Sequence, residues 1–136
     1  LIASKHVVIV ENEQWESGMG SSIAAGVRQL RELGTDSAAV AVLLVDQPLV
    51  RASHLHGMRN LLSRPGTRIV AAHYKGVLGV PAIFKRELFP VLADLEPETG
   101  ARALLRDPNQ RITPFDLPEA AVDVDTPEDL AALTAE

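Results

Sequence analysis

Short apolar runs rich in β-branched residues alternate with helical patterns along this chain, and no other feature restricts its fold as strongly. The run Val40–Val45 contains no polar residue, which is typical of a central parallel strand covered by helices on both faces. Between Ser21 and Leu33 the apolar residues recur at helical spacing, and Gly34 follows where a helix commonly ends. The alternation predicts an α/β fold with a mostly parallel sheet.

The same patterns predict the remaining elements. Strands are predicted at His6–Val10, Thr67–Tyr74, Val80–Phe84 and Ile112–Phe115, and helices after Ser53, at Leu88–Leu95 and at Ala101–Leu105. The last helix has a clear start, because Thr126 suits the N-cap, Pro127 suits the first helical position and Asp129 completes a variant of the capping box.

Composition narrows the class of protein. The 136 residues, of which 46% are hydrophobic, predict a single domain over residues 1–136. The absence of cysteine removes disulfides, thiolate zinc sites and cysteine nucleophiles. Thirteen basic residues scattered among eighteen acidic ones disfavour a nucleic-acid partner. The longest apolar run, Ala38–Val45, is shorter than the ~20 residues of a membrane span. We therefore expect a cytoplasmic protein, for which a small anionic ligand stays open.

Acidic side chains follow two of the predicted strands. Asp46 comes directly after Val40–Val45, at the carboxyl end of a strand, where open α/β sheets bind ligands. Asp123 and Asp125 are two apart, so both point to one side of an extended chain. If Asp46 and Asp125 converge, a cation would offset their repulsion, and oxygen ligands of this kind suit Mg²⁺. The alternative is that Asp46 caps a turn and Asp125 only favours the start of the last helix.

The segment Gly18–Ser22 precedes a predicted helix, so its N–H groups and hydroxyls are candidates to receive an anion or a base edge. It lacks the third glycine of a dinucleotide fingerprint, since Ile23 stands there, and no P-loop lysine follows. A flexible turn before a helix cap is the alternative. Arg102 opens another helix and is suited to clamp a phosphate, although an exposed arginine is usually just solvated.

Taken in chain order, these fragments resemble the molybdenum cofactor cytidylyltransferases and their MobA-like nucleotidyltransferase relatives. The fragments are Val10-Glu11-Asn12 with Trp15, Gly18-Met19-Gly20-Ser21-Ser22 with Gly26, Asp46-Gln47-Pro48, Gly79-x-Pro81 with Phe84, Gly100-Ala101-Arg102 and the run from Asp123 to Leu130. The resemblance covers nearly the whole chain, and the glycine-serine segment is more similar to cytidylyl than to guanylyl members.

The resemblance implies a three-layer Rossmann-like fold of the nucleotide-diphospho-sugar transferase type. It implies transfer of CMP from CTP to the terminal phosphate of molybdopterin with release of pyrophosphate, and a molybdoenzyme or chaperone as a protein partner. The implied roles are Mg²⁺ binding by Asp46, Asp123 and Asp125, catalysis by Asp46, Asp125 and Arg102, nucleotide binding by Gly18, Met19, Gly20, Ser21, Ser22 and Asp46, and acceptor binding by Gly79, Pro81, Gly100 and Arg102.

The chain departs from the family pattern in places. Val80 stands where the family commonly has Asn or His, and Pro97-Glu98-Thr99 replaces a Gly-Asp pair before Gly100. The family's opening strand and its Gly-rich loop with Arg and Lys are not found in these residues, so we expect an N-terminally incomplete domain that is inactive alone. The alternatives are the same fold acting with GTP or on another phosphorylated acceptor, and a non-catalytic module or chaperone that holds the molybdenum cofactor.

Overall fold

The computed structural model describes residues 7–134, and Cα positions group them into two compact units. The first contains residues 7–37 and Glu87–Ala103, and the second contains Ala38–Arg86 and residues 104–134. The regular elements are α1 Met19–Glu32, β1 Ala39–Val42, α2 Ala52–Leu62, β2 Ile69–Tyr74, β3 Val77–Lys85, α3 Phe89–Ala93, α4 Arg102–Arg106, β4 Ile112–Asp116 and α5 Pro127–Thr134, with short 3-10 helices at Trp15–Ser17, Arg86–Leu88 and Pro118–Ala121. The single domain over residues 1–136 stays a prediction.

The first unit is built on α1 and α3, which pack against each other. Ala24 and Val27 form the buried stripe of α1, and α3 buries Phe89 and Leu92. The predicted helix is confirmed, although it begins slightly earlier than Ser21. Gly34 has a φ of 62°, the left-handed conformation that commonly follows a helix end.

The second unit holds a four-stranded sheet in the order β1-β3-β2-β4. β3 runs antiparallel to β1 and β2, and only the β2–β4 pair is parallel. The α/β class is confirmed, but the prediction of a mostly parallel sheet is wrong because the sheet is mixed. Lys75 and Gly76, with φ of 48° and 75°, join β2 to β3. Positive φ at both residues is typical of a two-residue hairpin turn, which forces its strands to be antiparallel.

The run Val40–Val45 was predicted to be a central strand, and that prediction is also wrong. The strand ends at Val42 and lies at one edge of the sheet formed by the described residues. Beyond it, Leu43 is 49% exposed and Val45 fully exposed. An apolar run reports that a strand forms but not which neighbours it pairs with, so hydropathy does not distinguish an edge from a centre.

The other predicted elements agree with the structure within a few residues, apart from the first strand. His6 lies outside the described residues, and Val7–Val10 are exposed and form no strand. Ser53 lies inside α2 rather than at its N-cap, which is Arg51. The Arg51 N–H donates to Nδ1 of His54 at 3.1 Å, so a histidine ring supplies the capping contact there.

The apolar face of α2 covers the middle of the sheet. Met58 and Leu62 pack against Val70 of β2 and Ile83 of β3. In a neighbouring cluster, Ala72 packs with Leu117 and Ala120. Leu117 precedes the 3-10 helix that follows β4, and Ala120 lies within that helix. The 3-10 helix Pro118–Ala121 separates β4 from residues 122–125, so the prediction that Asp123 and Asp125 directly follow a strand is wrong. Among the helices within residues 7–134, none combines the length and the apolar character needed to cross a membrane.

Candidate active site

Asp46 lies just beyond β1 and is paired through its backbone with a distant acidic segment. The Val124 N–H donates to the Asp46 carbonyl oxygen at 2.9 Å. Val124 stands between Asp123 and Asp125, so the two acidic motifs singled out from the sequence are adjacent along their backbones. Both belong to the second unit. The metal role of these three side chains stays a prediction.

The Asp46 carboxylate has an unusual environment. Its Oδ1 atom is buried and has no hydrogen-bond partner. A buried polar atom left unpaired costs about 1–3 kcal/mol, and more when the group is charged. A cation at this carboxylate would offset that cost, so the donor chemistry of Asp46 fits a divalent metal ion.

The acidic residues do not form a ready-made cage. Across residues 7–134, no group of three or more His, Asp or Glu side chains is arranged to hold a metal ion. Mg²⁺ usually takes one or two carboxylates and completes its shell with water and substrate phosphates. The residues therefore suit a metal that is shared with a phosphate ligand better than one enclosed by protein alone.

Asp129 fixes the backbone next to Asp125. Its Oδ2 accepts hydrogen bonds from the N–H of Thr126 at 2.9 Å, the Thr126 hydroxyl at 2.8 Å and the N–H of Asp125 at 3.2 Å. The Asp129 N–H donates in return to the Thr126 hydroxyl oxygen. The predicted capping box is confirmed. The Thr126 bonds, first that of the hydroxyl, hold the pKa of Asp129 below its usual 3.8.

Sequence reasoning quoted Gln47 within a motif but gave it no role. The side chain is only 7% exposed, and its Nε2 donates to the carbonyl oxygens of Ala120 at 2.9 Å and Val80 at 3.1 Å. The sequence offers one indication that Gln47 has a role, which is its position directly after Asp46 beyond a predicted strand. The contacts themselves span 33 and 73 residues, and no local pattern reports them.

In the first unit, the serines of Gly18–Ser22 are held by Asn12. Its Nδ2 donates to the hydroxyl oxygen of Ser21 at 2.8 Å and to that of Ser22 at 3.0 Å. The Ser21 hydroxyl donates to the Gly18 carbonyl at 2.7 Å. Asn12 had no role assigned from the sequence beyond its motif, yet it orders both hydroxyls expected to face a nucleotide.

The backbone of the same segment is packed tightly against residues 96–99. The Gly20 N–H donates to the Pro97 carbonyl oxygen at 2.8 Å, and the Ser21 N–H donates to the Gly18 carbonyl at 3.1 Å. Two N–H groups expected to receive an anion are therefore engaged within the protein. A Cβ at Gly20 would overlap the carbonyls of Glu96 and Pro97. Glycine is required there because the backbone of Glu96 and Pro97 approaches so closely.

The residues expected to bind the acceptor occur in both units. Gly79 lies in β3, where a Cβ would meet the ring of Tyr74, and Pro81 is fully buried in the same strand. Gly100 has a φ of 55°, and Arg102 is exposed at the first position of α4. Their common role in binding one ligand stays a prediction.

Residues 1–113 match the family described as the MobA-like NTP transferase domain, so this chain belongs to the MobA-like NTP transferase family. The resemblance found in the sequence motifs is confirmed.

Curated relatives agree with this family. The chain is 31% identical over 91 residues to the purine catabolism protein PucB of Bacillus subtilis (strain 168), covering 67% of the chain and 42% of PucB. It is 33% identical over 140 residues to the nicotine blue oxidoreductase of Paenarthrobacter nicotinovorans, covering 92% of the chain and 63% of that protein. The chain thus spans less than two thirds of the length of either relative.

Solved structures share the fold. Rv0371c from Mycobacterium tuberculosis H37Rv matches 96% of this chain and 64% of its own, with a TM-score of 0.68 at 24% identity. A structure of Rv0371c in complex with manganese matches 80% of this chain and 59% of its own, with a TM-score of 0.62 at 25% identity. The Rv0371c homologue from Mycobacterium sp. strain JC1 gives a TM-score of 0.62 at 24% identity over 81% of this chain and 55% of that one.

Replacing Gly20 by Ala tests the close approach of residues 96–97. Overpacking typically costs about 1–3 kcal/mol, so we expect Gly20→Ala to lower the free energy of unfolding by that amount. Gly26→Ala in the same helix is the matched control, since a Cβ there has nothing within 4 Å, and it should raise stability by about 0.5–1 kcal/mol. Urea denaturation measures both changes. Equal effects of the two variants would contradict the account of this contact.

The Asp129 cap predicts a pH dependence. Because the pKa of Asp129 is lowered on folding, its contribution to stability is complete above its usual pKa and is lost as the pH falls through the lowered value. The amide resonances of Asp125 and Thr126, followed by NMR in metal-free protein, should shift with a midpoint below 3.8. Asp129→Asn should abolish that transition. A midpoint at or above the usual value would show that the cap does not bind the charged form.

Proposed function

We propose that this chain is part of a Mg²⁺-dependent nucleotidyltransferase that transfers CMP from CTP to the terminal phosphate of molybdopterin. The observation that carries the proposal is the buried, unpartnered Oδ1 of Asp46, next to a segment that supplies Asp123 and Asp125. Membership of the MobA-like NTP transferase family supports the reaction class. The manganese complex of Rv0371c supports a divalent metal in a related fold.

In the proposed reaction, an oxygen of the acceptor phosphate forms a bond to the α-phosphorus of CTP while the bond to the bridging oxygen breaks. Pyrophosphate leaves with the electron pair of that bond. When bound, Mg²⁺ would neutralise the negative charge that develops on the phosphate oxygens. Asp46 and Asp125, with Asp123 beside them, would hold the metal, and positioning with electrostatic stabilisation accounts for most of the catalysis.

Other residues of the chain would bind the two substrates. The segment Gly18–Ser22 would contact the base and ribose, with the exposed Ser22 hydroxyl held in place by Asn12. Of the residues that the resemblance assigns to the acceptor, the exposed Arg102 beside Gly100 would contact it, whereas Pro81 is fully buried in β3. The Arg102 guanidinium is exposed, and its planar set of donors suits bidentate binding of a phosphate.

A different acceptor, or GTP in place of CTP, is the second candidate. Val80 supplies no side-chain hydrogen bond where the resembling family commonly has Asn or His. The relatives also carry names that point to other compounds, purines for PucB and nicotine blue for the oxidoreductase. A hydrophobic residue at this position favours an acceptor with less polar surface than molybdopterin.

Pyrophosphate release tests the proposal with the full-length protein. CTP and GTP are each offered with molybdopterin and with a panel of other phosphorylated acceptors, in the presence and absence of Mg²⁺. We expect Mg²⁺-dependent release with CTP and molybdopterin, and a loss of about 10²-fold or more for Asp46→Asn, as for removal of a key electrostatic group. Asp94→Asn is the control, since Asp94 is exposed and makes only a loose 3.9 Å contact with Arg28.

The other outcomes separate the candidates. Turnover restricted to another acceptor or to GTP would support the second candidate. Pterin binding without any Mg²⁺-dependent affinity for CTP would indicate a non-catalytic module. Undiminished turnover by Asp46→Asn would overturn the metal assignment.

A further inference from the structure

The segment of residues 122–125, which links the 3-10 helix Pro118–Ala121 to α5, contains no regular structure. Hydrogen bonds of a helix or a sheet therefore do not fix Asp123 and Asp125. Tertiary hydrogen bonds within the segment and just before it hold the backbone instead. The Val124 N–H reaches the Asp46 carbonyl at 2.9 Å, and the Lys75 ammonium donates to the Ala121 carbonyl at 3.0 Å.

Two side chains, those of Lys75 and Gln47, donate to the backbone just before residues 122–125. The hydrogen bond from Gln47 is the buried one. Its Nε2 donates to the Ala120 carbonyl at 2.9 Å and, with its second hydrogen, to the Val80 carbonyl at 3.1 Å. One amide group therefore connects three parts of the second unit: the turn that carries Asp46, the strand β3, and the 3-10 helix that leads into residues 122–125. Both of its donor hydrogens are used, each by a different part of the second unit.

The Oε1 atom of the same amide is buried and has no hydrogen-bond partner. Burying an acceptor without a donor costs free energy that offsets part of the gain from the two donated bonds. The net stabilisation from Gln47 is therefore small, and what its side chain specifies is the relative placement of three segments. That placement includes both acidic motifs.

We infer that Gln47 is a positioning residue for the divalent metal site formed by Asp46 and Asp125, acting through the carbonyls of Ala120 and Val80. The inference rests on the proposed function, because it assigns the metal to these carboxylates. Gln47 does not touch the metal. It holds the segment of Asp123 and Asp125 against Asp46, as groups behind the ligands do at other metal sites.

Gln47→Met tests the inference, because methionine keeps the length of the side chain and removes both donors. The control is Gln110→Met. Gln110 also has a buried Oε1 without a partner, but its Nε2 donates only locally, to Asp107 three residues away. Mn²⁺ binding to the full-length protein in the presence of CTP is measured by electron paramagnetic resonance and by calorimetry, at a temperature where circular dichroism shows each variant to be folded.

We expect Gln47→Met to weaken Mn²⁺ binding by about 10- to 100-fold, the usual effect of removing a partner behind the ligands, while Gln110→Met binds like the wild type. Unchanged Mn²⁺ affinity in folded Gln47→Met would overturn the inference, and so would an equal loss in Gln110→Met. If Gln47→Met does not fold, Gln47→Asn replaces it with the same readings, since the shorter amide reaches at most one of the two carbonyls.

Asp46→Asn in the same titration separates the two claims. If the wild type binds Mn²⁺ and Asp46→Asn does not, the metal assignment stands and the Gln47 variants decide the positioning role. If Asp46→Asn binds Mn²⁺ as tightly as the wild type, the proposed function fails at its metal site, and the inference about Gln47 falls with it.

Discussion

The hydrogen bond between the Val124 N–H and the Asp46 carbonyl is the contact on which the account of this protein depends. It connects residues that are far apart in the chain, one just beyond β1 and the other before α5. Carboxylates repel one another, so acidic segments come together in a fold only where other bonds hold their backbones. Here Gln47, Lys75 and Asp129 supply those bonds on either side of the contact. The contact brings the backbone of the second acidic motif beside Asp46, whose Oδ1 is buried and unpaired.

In the first unit, a close approach between two backbone segments fixes the geometry at the start of α1. Gly20 has no side chain, so the carbonyls of Glu96 and Pro97 can approach the start of α1, and one of them accepts the Gly20 N–H. The Gly20 N–H, which the sequence predicts to bind an anion, is therefore already bonded within the protein. The Ser21 hydroxyl is engaged as well, since it is buried, accepts from Asn12 and donates to the Gly18 carbonyl. The exposed Ser22 hydroxyl, oriented by Asn12, is what the segment still offers to a ligand. Hydroxyls of this kind suit a ribose or a base edge better than a triphosphate.

Local signals allowed several of these features to be predicted. The start of α5 followed from Thr126, Pro127 and Asp129, because capping depends on residues within one turn. The extent of α1 followed from its apolar spacing and from Gly34. Asp46 and Asp125 drew attention because each follows a predicted strand, but turn or helix capping explains such residues equally well, so their metal role stays a prediction.

Features set by distant contacts could not be predicted. The antiparallel pairing of β2 and β3 is an exception, because the local Lys75-Gly76 turn determines it. A second strand predicted only from Val80 places that turn inside a longer loop. The edge position of β1 depends on its neighbours rather than on its own hydropathy. Gln47 acts through carbonyls 33 and 73 residues away, and any backbone oxygen can accept a bond, so its partners leave no mark in the sequence.

The central claim is that Asp46 and the 122–125 segment together bind a divalent metal. Anomalous diffraction from crystals of the full-length protein soaked in Mn²⁺ and CTP tests it most directly. We expect an anomalous peak at coordinating distance, about 2.0–2.6 Å for hard cations bound by oxygen, from carboxylate oxygens of Asp46 and of Asp125 or Asp123. A manganese peak that contacts other residues, with the Asp46 carboxylate bound to no metal, would contradict it.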